Sequence, residues 1–149
     1  MEGTIRSTES SAAPATLFAV AADLLAYPEW AAGVSQVEVL GVGDAGRPRR
    51  ALFEIDGFIR KITYVLEYTF DPPHLIAWRA EPGEDIEAMD GSYRFEPLDG
   101  GGSEILYALR VQPAFTMPGF LRRQAEQQIV KAALRGLKQR AEALEAGTA

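Results

Sequence analysis

The period of the hydrophobic pattern changes along this chain, and that change fixes most of what it can fold into. From Val34 to Phe115 apolar and polar residues alternate with period two. The alternation is cut by turn chemistry at Gly43-Asp44-Ala45-Gly46, Asp56-Gly57, Asp71-Pro72-Pro73, Glu81-Pro82-Gly83 and Asp99-Gly100-Gly101-Gly102. These breaks cut out about six strands. The clearest places Ile62, Tyr64, Leu66, Tyr68 and Phe70 on one face and Lys61, Thr63, Val65, Glu67 and Thr69 on the other. The pattern repeats with Ile76, Trp78 and Ala80, with Met89, Gly91, Tyr93 and Phe95, and with Ile105, Tyr107, Leu109 and Val111. Short turns make the pairings antiparallel, and one face of the sheet is built to meet something apolar.

Upstream, Thr4 to Ser10 reads as a first strand. Pro14 sits where a first helical residue belongs, and Leu17, Phe18, Val20, Ala21, Leu24 and Leu25 recur at helical spacing. Tyr27-Pro28-Glu29-Trp30 breaks that helix and starts a second short one ending near Gly33. Downstream of Pro113 and Pro118 one long helix runs from Gly119 to Leu144, about 40 Å at 1.5 Å per residue. Its apolar stripe is read as Leu121, Ala125, Ile129, Ala132, Ala133, Gly136, Leu137, Ala141 and Leu144. No other element is long enough to cover the sheet, so an α+β fold is expected, a curved antiparallel sheet of about seven strands wrapped around this helix. A chain of 149 residues with no internal repeat reads as one domain, 1–149.

The order of elements resembles the helix-grip fold of the START-like superfamily, named also for polyketide cyclases and dehydrases and shared with pollen allergens and lipid-transfer domains. The residues that carry the resemblance are Ala13-Pro14-Ala15-Thr16-Leu17-Phe18, then Tyr27-Pro28-Glu29-Trp30, then Gly91-Ser92-Tyr93-Arg94-Phe95-Glu96-Pro97 with the Gly-rich turn and Glu104-Ile105-Leu106-Tyr107. It covers almost the whole chain and looks nearest to coenzyme-Q-binding and polyketide cyclase/dehydrase-like proteins. The resemblance implies a cavity between sheet and helix for a small hydrophobic partner: a lipid, an isoprenoid quinone or a polyketide. An aromatase or cyclase acting on a poly-ketone chain in the same cavity is the alternative, and fold alone does not choose between them.

Composition narrows the chemistry. With no cysteine and one histidine, the chain has no thiol nucleophile, no Cys-based metal centre and no two-histidine metal site, and no cofactor is expected. A formal net charge of −6 argues against a nucleic-acid partner. The longest strongly apolar run, Leu17 to Ala22, is far shorter than a membrane span, and Glu2 and Arg6 lead into polar residues rather than a targeting segment. A soluble, cytoplasmic protein is expected, as a monomer or dimer.

The candidate ligand-binding residues are Phe53, Tyr64, Leu66, Tyr68, Trp78, Met89, Tyr93, Phe95, Tyr107 and Leu109 on the sheet, with Phe120, Gln128, Ile129, Ala132 and Gly136 on or beside the long helix. Large rings with polar tips opposite small helix residues fit a ligand wall, and they equally fit an interdigitated core. Gly136, costly in mid-helix, admits backbone packing or ligand space. Gln128 is a pocket hydrogen-bonding group or a stripe edge, and Phe115, Met117, Pro118 and Phe120 are a cavity rim or a helix-entry staple. Glu54 and Asp56 read as wet-face carboxylates, His74 as an exposed loop residue, Asp90 with Arg110 as a polar pair, and Gly100 to Gly102 as a hairpin turn. No catalytic residue is assigned. An enzyme would need Arg79 or Arg110 to turn inward, since a phenol with a pKa near 10 is a poor base. Interaction through the outer sheet face or an edge strand has no positive feature.

Overall fold

A computed structural model of the chain describes residues 3–56 and 60–147, so the expected Asp56-Gly57 turn lies partly outside the described residues. The strands are β1 (Thr4–Ser10), β2 (Val34–Val42), β3 (Pro48–Asp56), β4 (Lys61–Asp71), β5 (Leu75–Ala80), β6 (Ile86–Pro97) and β7 (Ser103–Pro113). The helices are α1 (Pro14–Ala22), α2 (Tyr27–Trp30) and α3 (Gly119–Glu145), with a 3₁₀ turn at Leu24–Ala26 between the first two. All seven strands form one antiparallel sheet in the order β1-β7-β6-β5-β4-β3-β2. The meander β2 to β7 follows from its short turns; β1 joins the far edge, beside β7. The stretch with α1 and α2 therefore carries the chain from one edge of the sheet to the other. This is the α+β helix-grip architecture, and no described helix is long and apolar enough to cross a membrane.

Alternation along the strands holds: Leu66, Tyr68, Ile76, Trp78, Ala80, Met89, Tyr93, Phe95, Ile105, Tyr107 and Leu109 are buried on the inner face. Glycine at 91 makes one packing step possible. A Cβ there would meet Cε2, Cζ2 and Nε1 of Trp78 at 2.3–2.4 Å, so the indole lies flat across β6. The β6–β7 hairpin turns through Gly101 and Gly102 at positive φ (98° and 78°), and the Ser103 hydroxyl just beyond donates to the Ala12 carbonyl at 2.7 Å. At its far end α3 is tied to the start of α1: the Ser10 hydroxyl donates to Glu142 Oε2 and the Ala13 N–H to Glu145 Oε2, both at 2.7 Å.

The expected stripe of α3 holds at Leu137 and Ala141 and differs in phase nearer the start of the helix. Its deeply buried residues are Glu126, Val130, Leu134, Leu137 and Ala141, whereas Ile129 and Leu144 are 42% and 44% exposed. The arc through Val130 and Leu134 is the one packed, as α3 sits against α1, β1 and β7. Ala125, Ile129, Ala132 and Ala133 lie on the adjacent arc. That arc faces a space left between α3 and the sheet. Gly136 serves close backbone approach: a Cβ there would sit 2.5 Å from the Trp30 carbonyl oxygen.

Candidate functional site

The space between α3 and the inner sheet face is a cavity of about 480 Å³, within the range of small-molecule sites. Exposed Gly33, Asp56, Gln128 and Ile129 mark where it reaches the surface. Twelve of the fifteen residues singled out in the sequence line it: Phe53 from β3, Tyr64, Leu66 and Tyr68 from β4, Trp78 from β5, Met89 and Tyr93 from β6, Tyr107 and Leu109 from β7, and Gln128, Ile129 and Ala132 from α3. The other three stand elsewhere. Phe95 is wholly buried beyond the cavity, Phe120 is 66% exposed, and Gly136 is pressed on the Trp30 backbone. Of the β7–α3 connection, Phe115 and Met117 reach the wall, so the segment forms part of the cavity's boundary.

The wall on the sheet side is a run of rings. Phe53 stacks on Tyr64 with centroids 5.5 Å apart, Trp78 sits 6.0 Å from Tyr68 and 5.7 Å from Tyr107, and Tyr93 meets Tyr107 edge-on at 4.5 Å. Tyr27 closes one side, its hydroxyl donating to the Ala21 carbonyl at 2.5 Å. The hydroxyls of Tyr64, Tyr68, Tyr93 and Tyr107 have no hydrogen-bond partner among the described residues. Burial pushes all five phenols above their ordinary value of 10.0, and for most of them neighbouring tyrosines add to the effect. At neutral pH they are therefore neutral groups that can donate a hydrogen bond to an oxygen-bearing guest, and they are not bases.

Sequence reading missed the charged part of the wall. Arg122 and Glu126 on α3 form an ion pair at 3.1 Å with side chains 15% and 2% exposed. Glu126 also accepts the Thr4 hydroxyl at 2.6 Å and the Val111 N–H at 3.0 Å, so a buried carboxylate is satisfied from three elements. The i, i+4 spacing of Arg122 and Glu126 was the available signal, and it is shared with any solvated helix pair. Of the two carboxylates expected on the wet face, Glu54 pairs with Lys61 at 2.9 Å, whereas Asp56 is exposed on the cavity lining; Arg110 and Arg79 reach Asp90 at 2.5 and 3.6 Å on the outer face. Neither arginine turns inward, and His74 is exposed.

Residues 4–142 match the family model described as "Polyketide cyclase / dehydrase and lipid transport". The chain belongs to this family. Among solved structures, this member of the polyketide cyclase/dehydrase and lipid transport family is similar to a START superfamily protein from Mycobacterium smegmatis, with a TM-score of 0.86 and 17% identity over 95% of this chain and 98% of the other. An aromatase/cyclase from a Streptomyces species matches with a TM-score of 0.82 and 18% identity, covering 95% and 94%. A STAR-related lipid transfer protein from Xanthomonas axonopodis matches at 0.73 and 19%, covering 94% and 85%. At these identities the likeness is one of fold. No curated protein sequence matches the chain. The family thus joins hydrophobic-ligand binding to polyketide cyclisation, and the neighbours span both.

Proposed function

We propose that this chain acts as one ligand-binding domain that binds or carries a small hydrophobic molecule with oxygen acceptors, of the lipid, isoprenoid quinone or polyketide class. The observation that carries this reading is the cavity of about 480 Å³ in which four phenol hydroxyls have no protein partner among the described residues. A close-packed core would leave no such space, and the four hydroxyls open onto it: among the described residues Trp30 Nε1 is the buried polar side-chain atom without a partner, and no tyrosine hydroxyl is. The sheet residues Phe53, Tyr64, Leu66, Tyr68, Trp78, Met89, Tyr93, Tyr107 and Leu109, with Gln128, Ile129 and Ala132, are the proposed contacts.

Binding is favoured over turnover by the state of the acidic groups. Among the described residues Glu126 is held by three donors, the Arg122 guanidinium included, and Asp56, the other carboxylate on the lining, is exposed at the mouth, so neither stands free inside the cavity as a general base. Cyclase or aromatase activity is the second reading, favoured by one observation: neutral phenols can hydrogen-bond to the carbonyls of a folded poly-ketone chain and hold it in one conformation. Native mass spectrometry of the purified protein, with solvent extraction of whatever it carries, tests the first reading. An adduct of lipid, quinone or polyketide size is expected; no adduct, together with no calorimetric binding of decanol or decanoate, refutes it.

A further inference from the structure

Arg122 uses only part of its guanidinium. Nη1 donates to the Val111 carbonyl at 3.4 Å and to Glu126 Oε2 at 3.1 Å, and that carboxylate is in turn fixed by Thr4 and Val111. The edge formed by Nε and Nη2 has no partner among the described residues. Two parallel N–H donors on that edge match a carboxylate, and an arginine side chain only 15% exposed, on the cavity lining and with donors unused, favours an acceptor from the cavity side. Glu126 is the counter-charge of Arg122 but lies on the Nη1 side, so it leaves the Nε–Nη2 donors open to a second carboxylate. Along α3 the wall then runs from this charged end over Ala125 and Ile129, with Gln128 beside them, to Ala132 and Ala133, about 12 Å of mostly apolar helix. Charge at one end and an apolar run behind it is the polarity profile of an amphiphile.

We propose that Arg122 is a specificity-determining anchor whose Nε–Nη2 edge binds the carboxylate of an amphiphilic ligand, the ligand's apolar body lying between α3 and the ring-lined sheet. This rests on the reading of the cavity as a hydrophobic-ligand site and adds a charge preference to it. A phenol also bonds a carboxylate more strongly than a hydroxyl, because charge on either partner strengthens a hydrogen bond, so the share of the preference that belongs to Arg122 is the part lost in Arg122→Gln.

The test uses decanoate and decanol, which differ only in the terminal group. Calorimetry on the intact protein is expected to show decanoate binding about tenfold or more tighter than decanol. Arg122→Gln is expected to lower the ratio about tenfold or more, and Arg122→Lys, which keeps the charge and loses the fork, to bring it to an intermediate value. A wild-type measurement stands independently of how these variants fold. Decanoate labelled with ¹³C at the carboxyl and titrated by NMR in the bound state is expected to ionise at lower pH than free decanoate if it sits on the guanidinium, and at higher pH if it is merely desolvated. Equal binding of the two probes, a preference undiminished in a folded Arg122→Gln protein, or an upward shift of the bound carboxyl overturns the anchor while leaving the cavity reading intact. Binding of neither probe overturns both.

Discussion

Replacing Gly91 by alanine separates a lined cavity from a solid core. The added Cβ would lie 2.3–2.4 Å from three atoms of the Trp78 ring, whereas ordinary contacts begin at 3.4 Å. Three nearly equal distances mean that the ring is met face-on, so it has to withdraw as a whole by roughly 1.1–1.7 Å. Tyr68, Tyr93 and Tyr107 flank it at centroid distances of 6.0, 5.5 and 5.7 Å, and the direction left is into the cavity. Overpacking a closed core costs about 1–3 kcal/mol. With a cavity to receive the indole, Gly91→Ala should fall near the lower end, a Tm loss of about 2–4 °C for a chain of this length. The larger effect should be on binding. A shift of a wall by one methylene's worth of space changes affinity by roughly 10–200-fold, so decanol binding should weaken by at least about tenfold. Gly136→Ala is the control, since its Cβ would meet the Trp30 carbonyl oxygen at 2.5 Å, a backbone atom with no cavity behind it, and Gly136 does not line the site. It should cost more stability, toward 3 kcal/mol less the gain of about 1 kcal/mol from helix propensity, and leave decanol affinity unchanged. Urea unfolding followed by far-UV circular dichroism, with calorimetry for binding, reads both. If Gly91→Ala binds decanol like the wild type, or if Gly136→Ala is the variant that loses binding, the placement of the cavity is wrong.

Removing the buried carboxylate should be among the most damaging changes. Glu126→Leu strips acceptors from Thr4, Val111 and Arg122 and leaves a guanidinium that is 15% exposed without its counter-charge, for a loss of about 3–5 kcal/mol by urea unfolding. Tyrosine-to-phenylalanine changes should sort by partner. Tyr27→Phe loses the bond to Ala21 and about 1 kcal/mol, while the same change at Tyr64, Tyr68, Tyr93 or Tyr107 removes no protein bond and should stay within about 0.5 kcal/mol. Alkaline titration by ultraviolet absorbance should show no phenolate near the ordinary 10.0 while the chain is folded. The folded pKa values are raised, so their stabilising contribution is complete below the unfolded value of about 10 and is lost as pH rises above it. Phenolate should therefore appear together with unfolding.

The sheet was legible because its signals are local. Period-two alternation and the Gly, Asp and Pro turns place Tyr64, Tyr68, Trp78 and Tyr93 on one face without any long-range knowledge. Helix α3 was legible as a helix, with Leu137 and Ala141 of the expected stripe fully buried, and misread in phase nearer its start. Ala125, Ala132 and Ala133 look like a stripe, yet Val130 and Leu134 are the residues that pack, because α1 and β1 approach from that side. Glu126 was invisible for the same reason: one of its donors, Thr4, is 122 residues away, and a carboxylate one turn from an arginine reads as solvated until the fold closes over it. Phe95 shares the face of Tyr93 but lies past the end of the cavity, and Phe120 precedes the arc of α3 that faces inward.

The two tryptophans divide between two environments. Trp78 is part of the cavity wall, packed among three tyrosines, and Trp30 stands outside it against Tyr27 and Gly136. The molecule thus carries an optical reporter of its own occupancy. A guest that replaces water beside the Trp78 indole changes that ring's emission, Trp30 supplies a constant background, and a Trp30→Phe protein would let filling of the cavity be followed without any label.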